Sequence, residues 1–192
     1  WVLREACAQA RLWIDEGFSS HSISVNISAL EFSQHGFFEG VRNILKETCL
    51  SPSCLELEIT ESVLMRDVKT SAEILKKLKK MGVQIAVDDF GTGYSSLSYL
   101  NQFPIDVLKI DQSFVSDIIN PKEDGIIVSA VIGMGNSLNL RVIAEGIESQ
   151  VQLDFLKERE CEEGQGYCFS KPLAAQDFTA LLTSGIPTAM FN

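Results

Sequence analysis

The chain has 192 residues, 45% of them apolar and 22% charged, with a formal net charge of −10. That length suits one domain with a sizeable core. The acidic balance argues against a binder of nucleic-acid polymers or anionic membrane surfaces. Five cysteines (Cys7, Cys49, Cys54, Cys161, Cys168) form no CxxC pair, and the two histidines, His21 and His35, have no metal-spaced partners. A disulfide framework, a histidine-rich zinc site and a Ser-His-Asp triad are therefore poor fits, and reduced thiols point to the cytoplasm. A small phosphorylated ligand stays compatible with the charge, because bound divalent ions reverse the field locally. No apolar run has membrane-spanning length and no signal peptide is visible. The chain opens on Trp1, already inside a helical pattern, which reads as a fragment of something longer.

Residues 1–16 have the apolar spacing of an amphipathic helix closed by Gly17. Ile23 to Ser28 alternates as a strand, with Ser24, Asn26 and Ser28 on one face. Residues 29–48 carry helix-spaced apolars, weakened early by Gly36 and Gly40. After Pro52, Leu55 to Thr60 alternates again, with Glu56, Glu58 and Thr60 opposite Leu55, Leu57 and Ile59. Val68 to Met81 is a helix ended by Gly82, and its lysines (Lys76, Lys77, Lys79, Lys80) read as a solvated face. Ile85 to Asp89 is a strand and Ser95 to Asn101 a short helix. Val107 to Asp111 is a strand carrying Lys109, followed by a helical region interrupted at Asn120-Pro121 and resuming to Leu138. Arg141 to Glu145 is a strand, Ser149 to Glu160 a helix, Gly164 to Phe169 a strand with Gln165, and Gln176 to Thr183 a last helix.

Six strands separated by helices predict an α/β chain with parallel strands, since parallel neighbours need such crossovers. In such folds chemistry collects at the carboxyl ends of the strands. The polar residues there are Asn26, Glu58, Asp88 with Asp89, Lys109, Glu145 and Gln165. Taken singly, each has a plainer reading. Asp88-Asp89 reads as a solvated acidic turn, Asn26 as a strand-end hydrogen bonder, Lys109 as a partner of Asp106 or Asp111, and Glu145 as a cap on the turn at Gly146. Taken together, four carboxylates, two amides and one lysine suit hard divalent cations bound through oxygen. Adjacent Asp88 and Asp89 can bridge two ions, the arrangement used for in-line attack on phosphoryl groups. Composition and spacing thus predict a metal-dependent phosphoryl hydrolase on a barrel.

Six segments carry a family resemblance: VNIS (Val25–Ser28), LELEITES (Leu55–Ser62), AVDDFGTGYSSL (Ala86–Leu97), LKIDQSFV (Leu108–Val115), VIAEGIES (Val142–Ser149) and QGYCFSKP (Gln165–Pro172). They closely resemble the EAL-domain family of bacterial cyclic-di-GMP phosphodiesterases, in order from Trp1 to about Leu182. The resemblance implies a TIM-like (β/α)8 barrel of the EAL type, with about six βα units in this chain and residues 1–192 as one EAL-like domain. It implies a centre of two Mg²⁺ or Mn²⁺ ions held by Asn26, Glu58, Asp88 and Asp89. Lys109 and Glu145 would position and deprotonate the attacking water, and Gln165 would support the site. Glu61 resembles the glutamate that anchors the loop after the double aspartate, which contains Gly91, Thr92 and Gly93. The substrate would be cyclic-di-GMP and the product linear pGpG.

The Glu-Ala-Leu signature strand, which in the family supplies a further metal-ligating glutamate and a substrate-contacting arginine, is absent from this sequence. That absence motivates an alternative, a catalytically inactive cyclic-di-GMP receptor or dimerisation module. Apolar residues flanking Pro121 (Ile118, Ile119, Ile126, Ile127, Val128) read first as packing on the barrel and alternatively as a surface for a homodimer, and fused sensory or regulatory domains are expected partners.

Overall fold

The computed structural model describes residues 1–18, 22–92, 102–118 and 125–184. The chain divides into two compact units, Trp1–Leu108 and Lys109–Asn192. The boundary falls inside one strand, β4 (Val107–Ile110).

In the first unit, helix α1 (Val2–Asp15) buries Cys7 and Ala10 and packs on α3 (Phe37–Thr48). Burial raises the Cys7 thiol to about 11, since a thiolate there would lose its hydration. Strand β1 (Ile23–Asn26) leads to a one-turn helix α2 (Ala29–Phe32), capped by a reciprocal Ser28–Glu31 box. The single helical stretch expected over 29–48 is thus two helices. Gly36, at φ 92°, takes a left-handed turn that a helix cannot continue through. Strand β2 (Leu55–Thr60) runs directly into α4 (Glu61–Arg66), a helix that the apolar spacing did not announce. Helix α5 (Val68–Met81) starts at Asp67, which accepts from the Thr70 amide, and ends at Gly82.

Strands β1, β2 and β3 (Gln84–Phe90) are parallel neighbours in that order. Asn26 stands opposite Glu58, and Thr60 opposite Asp88. Strand β2 is buried on both faces, as parallel strands under crossover helices are. Leu55, Leu57 and Ile59 are fully buried with Leu75, Leu78, Val83, Ile85 and Val87. Each such side chain contributes about 1.5–3 kcal/mol of burial free energy. The opposite face of β2 holds Glu56 and Glu58, at 2% and 7% exposure. Alternation here separates an apolar layer from a polar interior layer, not core from solvent.

Lys79 departs from the solvated lysine face expected of α5. Its ammonium lies 2.6 and 2.7 Å from the two oxygens of Asp106, which also accepts from the Ile85 amide at 2.8 Å. That carboxylate ties the end of α5 to the start of β3.

The second unit contains α6 (Gln112–Ser116), α7 (Ile126–Ser137), β5 (Arg141–Ala144), α8 (Gln150–Lys157), β6 (Glu163–Gly164) and α9 (Ala175–Ser184). Strand β5 pairs in parallel with β6, and the Glu145 amide donates to Ile110. The core is Val115, Val128, Val131, Ile132, Val142, Ala144, Ile147, Leu153, Phe155 and Leu156. Gln152 is buried and links helices: it donates to the Val115 carbonyl at 3.1 Å and accepts from the Glu148 and Ser149 amides.

The strand expected over 164–169 is only the two residues of β6, followed by a turn. A Cβ at Gly166 would lie 2.2 Å from the Ile147 carbonyl oxygen, so glycine alone permits the close approach that turns the chain. The Phe169 amide then closes back on Gly166. The helix expected at Ser95–Asn101 and the break at Asn120-Pro121 lie outside the described residues.

Candidate functional site

In the first unit the candidate residues occupy the carboxyl ends of three neighbouring parallel strands. Asn26 is the last residue of β1, and Glu58 faces it across the β1–β2 pair. The ladder runs one step further, with the Ile27 amide donating to the Glu58 carbonyl at 2.9 Å. Asn26 is exposed, whereas Glu58 and Asp88 are buried at 7% and 8%.

Asp88 and Asp89 are consecutive, and an undistorted strand would send their side chains to opposite faces. Asp89 has φ 52°, a left-handed conformation uncommon outside glycine, which breaks the alternation. As a result the two residues each offer a carboxylate oxygen within 4.8 Å of the other. Two anionic carboxylates at that spacing repel unless a cation or proton lies between them. Backbone strain held at such a position is typical of functional sites.

Beyond Phe90 the chain turns at Gly91, whose amide donates to Glu61 Oε2 at 3.3 Å. Glu61 is 4% exposed and sits in the first turn of α4, where the helix dipole favours an acidic side chain. The Thr92 hydroxyl donates to the Asp89 carbonyl at 2.9 Å and its amide reaches the same oxygen at 3.3 Å. Gly93 lies outside the described residues.

In the second unit Lys109 is 3% exposed and its ammonium lies 2.6 Å from a Glu145 carboxylate oxygen. Asp106 is held by Lys79 and the Ile85 amide, and Asp111 caps α6 through the Ser113 amide at 2.9 Å. Glu145 follows β5 directly, so its place at a strand end is as expected. Gln165 follows β6 and is exposed; its amide donates to Ala144 at 2.8 Å and its carbonyl accepts from Ile147 at 3.1 Å.

Sequence reasoning passed over Ser24 and Glu56. The Ser24 hydroxyl donates to Glu56 Oε1 at 2.8 Å, two residues before Asn26 and Glu58 on the same strand pair. The alternation of β2 grouped Glu56 with Glu58, and that grouping was the available signal. Of the apolar residues near Pro121, Ile118 and Val128 are buried, Ile126 and Ile127 are 74% and 49% exposed, and Ile119 lies outside the described residues.

Among the described residues no helix is long and apolar enough to cross a membrane. Fold and site together define a parallel α/β protein with oxygen-donor side chains gathered at its strand ends.

A family model described as the EAL domain matches residues 1–172, and the chain belongs to that family. Its fold class is the TIM-like α/β fold of EAL domains. The chain is 47% identical over 180 residues to the bifunctional diguanylate cyclase/cyclic di-GMP phosphodiesterase MucR of Pseudomonas aeruginosa, covering 94% of this chain and 26% of MucR. It is similar to a solved c-di-GMP complex of the PaMucR phosphodiesterase, with a TM-score of 0.90 over 93% of this chain and 72% of that one. The EAL domain of Mycobacterium smegmatis DcpA matches at a TM-score of 0.91 and 41% identity, over 97% of this chain and 84% of that one. A manganese/cy-diGMP complex of Klebsiella pneumoniae BlrP1 matches at a TM-score of 0.80 and 28% identity, over 90% and 43%. The chain spans about a quarter of the length of the curated relatives it matches.

Proposed function

We propose that residues 1–192 act as a single EAL-type domain, a metal-dependent phosphodiesterase that hydrolyses cyclic-di-GMP to linear pGpG in the bacterial cytoplasm. The observation that carries this reading is the convergence of the Asp88 and Asp89 carboxylates through the left-handed backbone at Asp89. Relatives named as cyclic di-GMP phosphodiesterases support the substrate.

The donor set fits a hard divalent ion: it is all oxygen, and two of its carboxylates are nearly removed from water. Asn26, Glu58, Asp88 and Asp89 would hold a pair of Mg²⁺ or Mn²⁺ ions. Bound there, the ions would supply charge neutralisation for the phosphodiester and a more acidic water. Glu145 would accept the proton of the attacking water, and Lys109, already 2.6 Å from it, would orient that carboxylate and steady negative charge on the phosphate. Water oxygen would bond to phosphorus, the bond from that phosphorus to one ribose oxygen would break, that oxygen would take up a proton from solvent, and the ring would open to the linear dinucleotide. Glu61 would anchor the loop at Gly91 through the hydrogen bond to its amide, with Thr92 and Gly93 completing that loop and Gln165 supporting the site. Association with regulatory domains is part of the proposal. So is a homodimer through the exposed Ile126 and Ile127, which a smaller mass for an Ile126→Glu variant in light scattering would support.

The test is incubation of the full-length protein with cyclic-di-GMP and Mn²⁺, with chromatography of the nucleotides. We expect linear pGpG from the wild type and a loss of at least about 100-fold in kcat/KM for Asp88→Asn and for Glu145→Gln. Wild-type turnover by either variant would overturn the roles given to Asp88 and Glu145, and tight metal-independent binding without turnover would replace the enzyme with a receptor.

A further inference from the structure

One buried carboxylate is left over by the proposed chemistry. Glu56 lies on β2 two residues before Glu58, on the same face, and is only 2% exposed. Its Oε1 accepts from the Ser24 hydroxyl at 2.8 Å, and Ser24 is its partner in the β1–β2 register. The next rung on that face is Asn26 with Glu58. Leu55, Leu57 and Ile59 already fill the other face of the strand, so the apolar core does not need Glu56. Burying a carboxylate is costly where an apolar side chain of similar volume would not be.

We propose that Glu56 is a positioning residue for the Asn26–Glu58 rung. The inference rests on the metal-dependent reading above. Held by Ser24, the Glu56 carboxylate occupies the space below Glu58 on the strand face and repels a second carboxylate turning into it. Glu58 is left to extend toward the strand end, where a cation would take its oxygens. The Ser24–Glu56 bond also fixes the β1–β2 register from below, and a one-residue slip would turn Asn26 to the opposite face. Groups that orient metal ligands from behind commonly change affinity about 10- to 100-fold when removed.

The experiment is direct Mn²⁺ binding by calorimetry and by electron paramagnetic resonance, on the full-length protein without nucleotide, with melting recorded in parallel. Glu56→Leu is expected to weaken Mn²⁺ binding about 10- to 100-fold without lowering the melting midpoint of the metal-free protein. Glu56→Gln, which keeps an acceptor for Ser24 but no charge, and Ser24→Ala, which keeps the carboxylate but removes the hydroxyl bonded to it, should fall between Glu56→Leu and wild type. These two variants carry the test if Glu56→Leu does not fold. Asp88→Asn separates the two levels of inference. If it loses Mn²⁺ while the Glu56 and Ser24 variants bind as wild type, the positioning role is overturned and the metal reading stands. If Asp88→Asn itself binds Mn²⁺ as wild type, the metal reading is what fails.

Discussion

Lys109 carries a charge on a side chain only 4% exposed, opposite a Glu145 side chain at 18%. Removing Glu145 takes away the carboxylate 2.6 Å from that ammonium, and a hydrogen bond to a charged group contributes about 1.5–3 kcal/mol. Glu145→Leu is therefore expected to lower stability by about 1.5–3 kcal/mol in urea unfolding. Thiol reactivity gives a second residue-scale prediction. Burial pushes both Cys7 and Cys161 up to about 11, while Cys49 is exposed. At pH 8 iodoacetamide should therefore label Cys49 well before Cys7 or Cys161, as peptide mapping would show. The sign for stability follows from the same shift. The folded thiols hold their protons more tightly than unfolded ones at about 8.5, so this contribution is intact below about 8.5 and is lost as pH rises toward 11.

Short elements at strand ends orient the candidate side chains, and each has a local cause. The Ser28–Glu31 box stops β1 just after Asn26, and α4 begins directly after β2 so that Glu61 meets the Gly91 amide. The box was written in the sequence as a Ser-x-x-Glu spacing, yet it straddles the expected boundary between the strand ending at Ser28 and the helical stretch from 29. In the second unit Gln152 does the equivalent work, joining α8 to the last turn of α6. Gln152→Ala removes the acceptor for two amides and the donor to Val115 together. The expected loss is about 2–3 kcal/mol by chemical unfolding, because buried polar groups lose their partners. A loss under about 0.5 kcal/mol would mean that water replaces the amide fully.

For the whole molecule the expected signature of the proposed chemistry is linkage between metal and folding. A ligand that binds only the folded state at 100 times its Kd adds about 2.7 kcal/mol of stability. Mn²⁺ should therefore raise the melting midpoint, EDTA should reverse the rise, and Asp88→Asn should abolish it. The six strands and their alternation with helical segments, the parallel α/β class and the family motifs were legible in the residues, because periodicity and turn chemistry are local properties. The sequence also named Glu58, Asp88, Lys109 and Glu145, since charged residues at the ends of apolar strands have few structural uses. Only the folded chain decided their partners. Asp106 is held by Lys79, distant in sequence, and Lys109 pairs with Glu145. Asp88 and Asp89 converged because φ at Asp89 is positive, and Glu56 became a buried charge because β2 is covered on both faces. Propensity and pattern act over a few residues, but pairing and burial are settled by segments tens of residues apart.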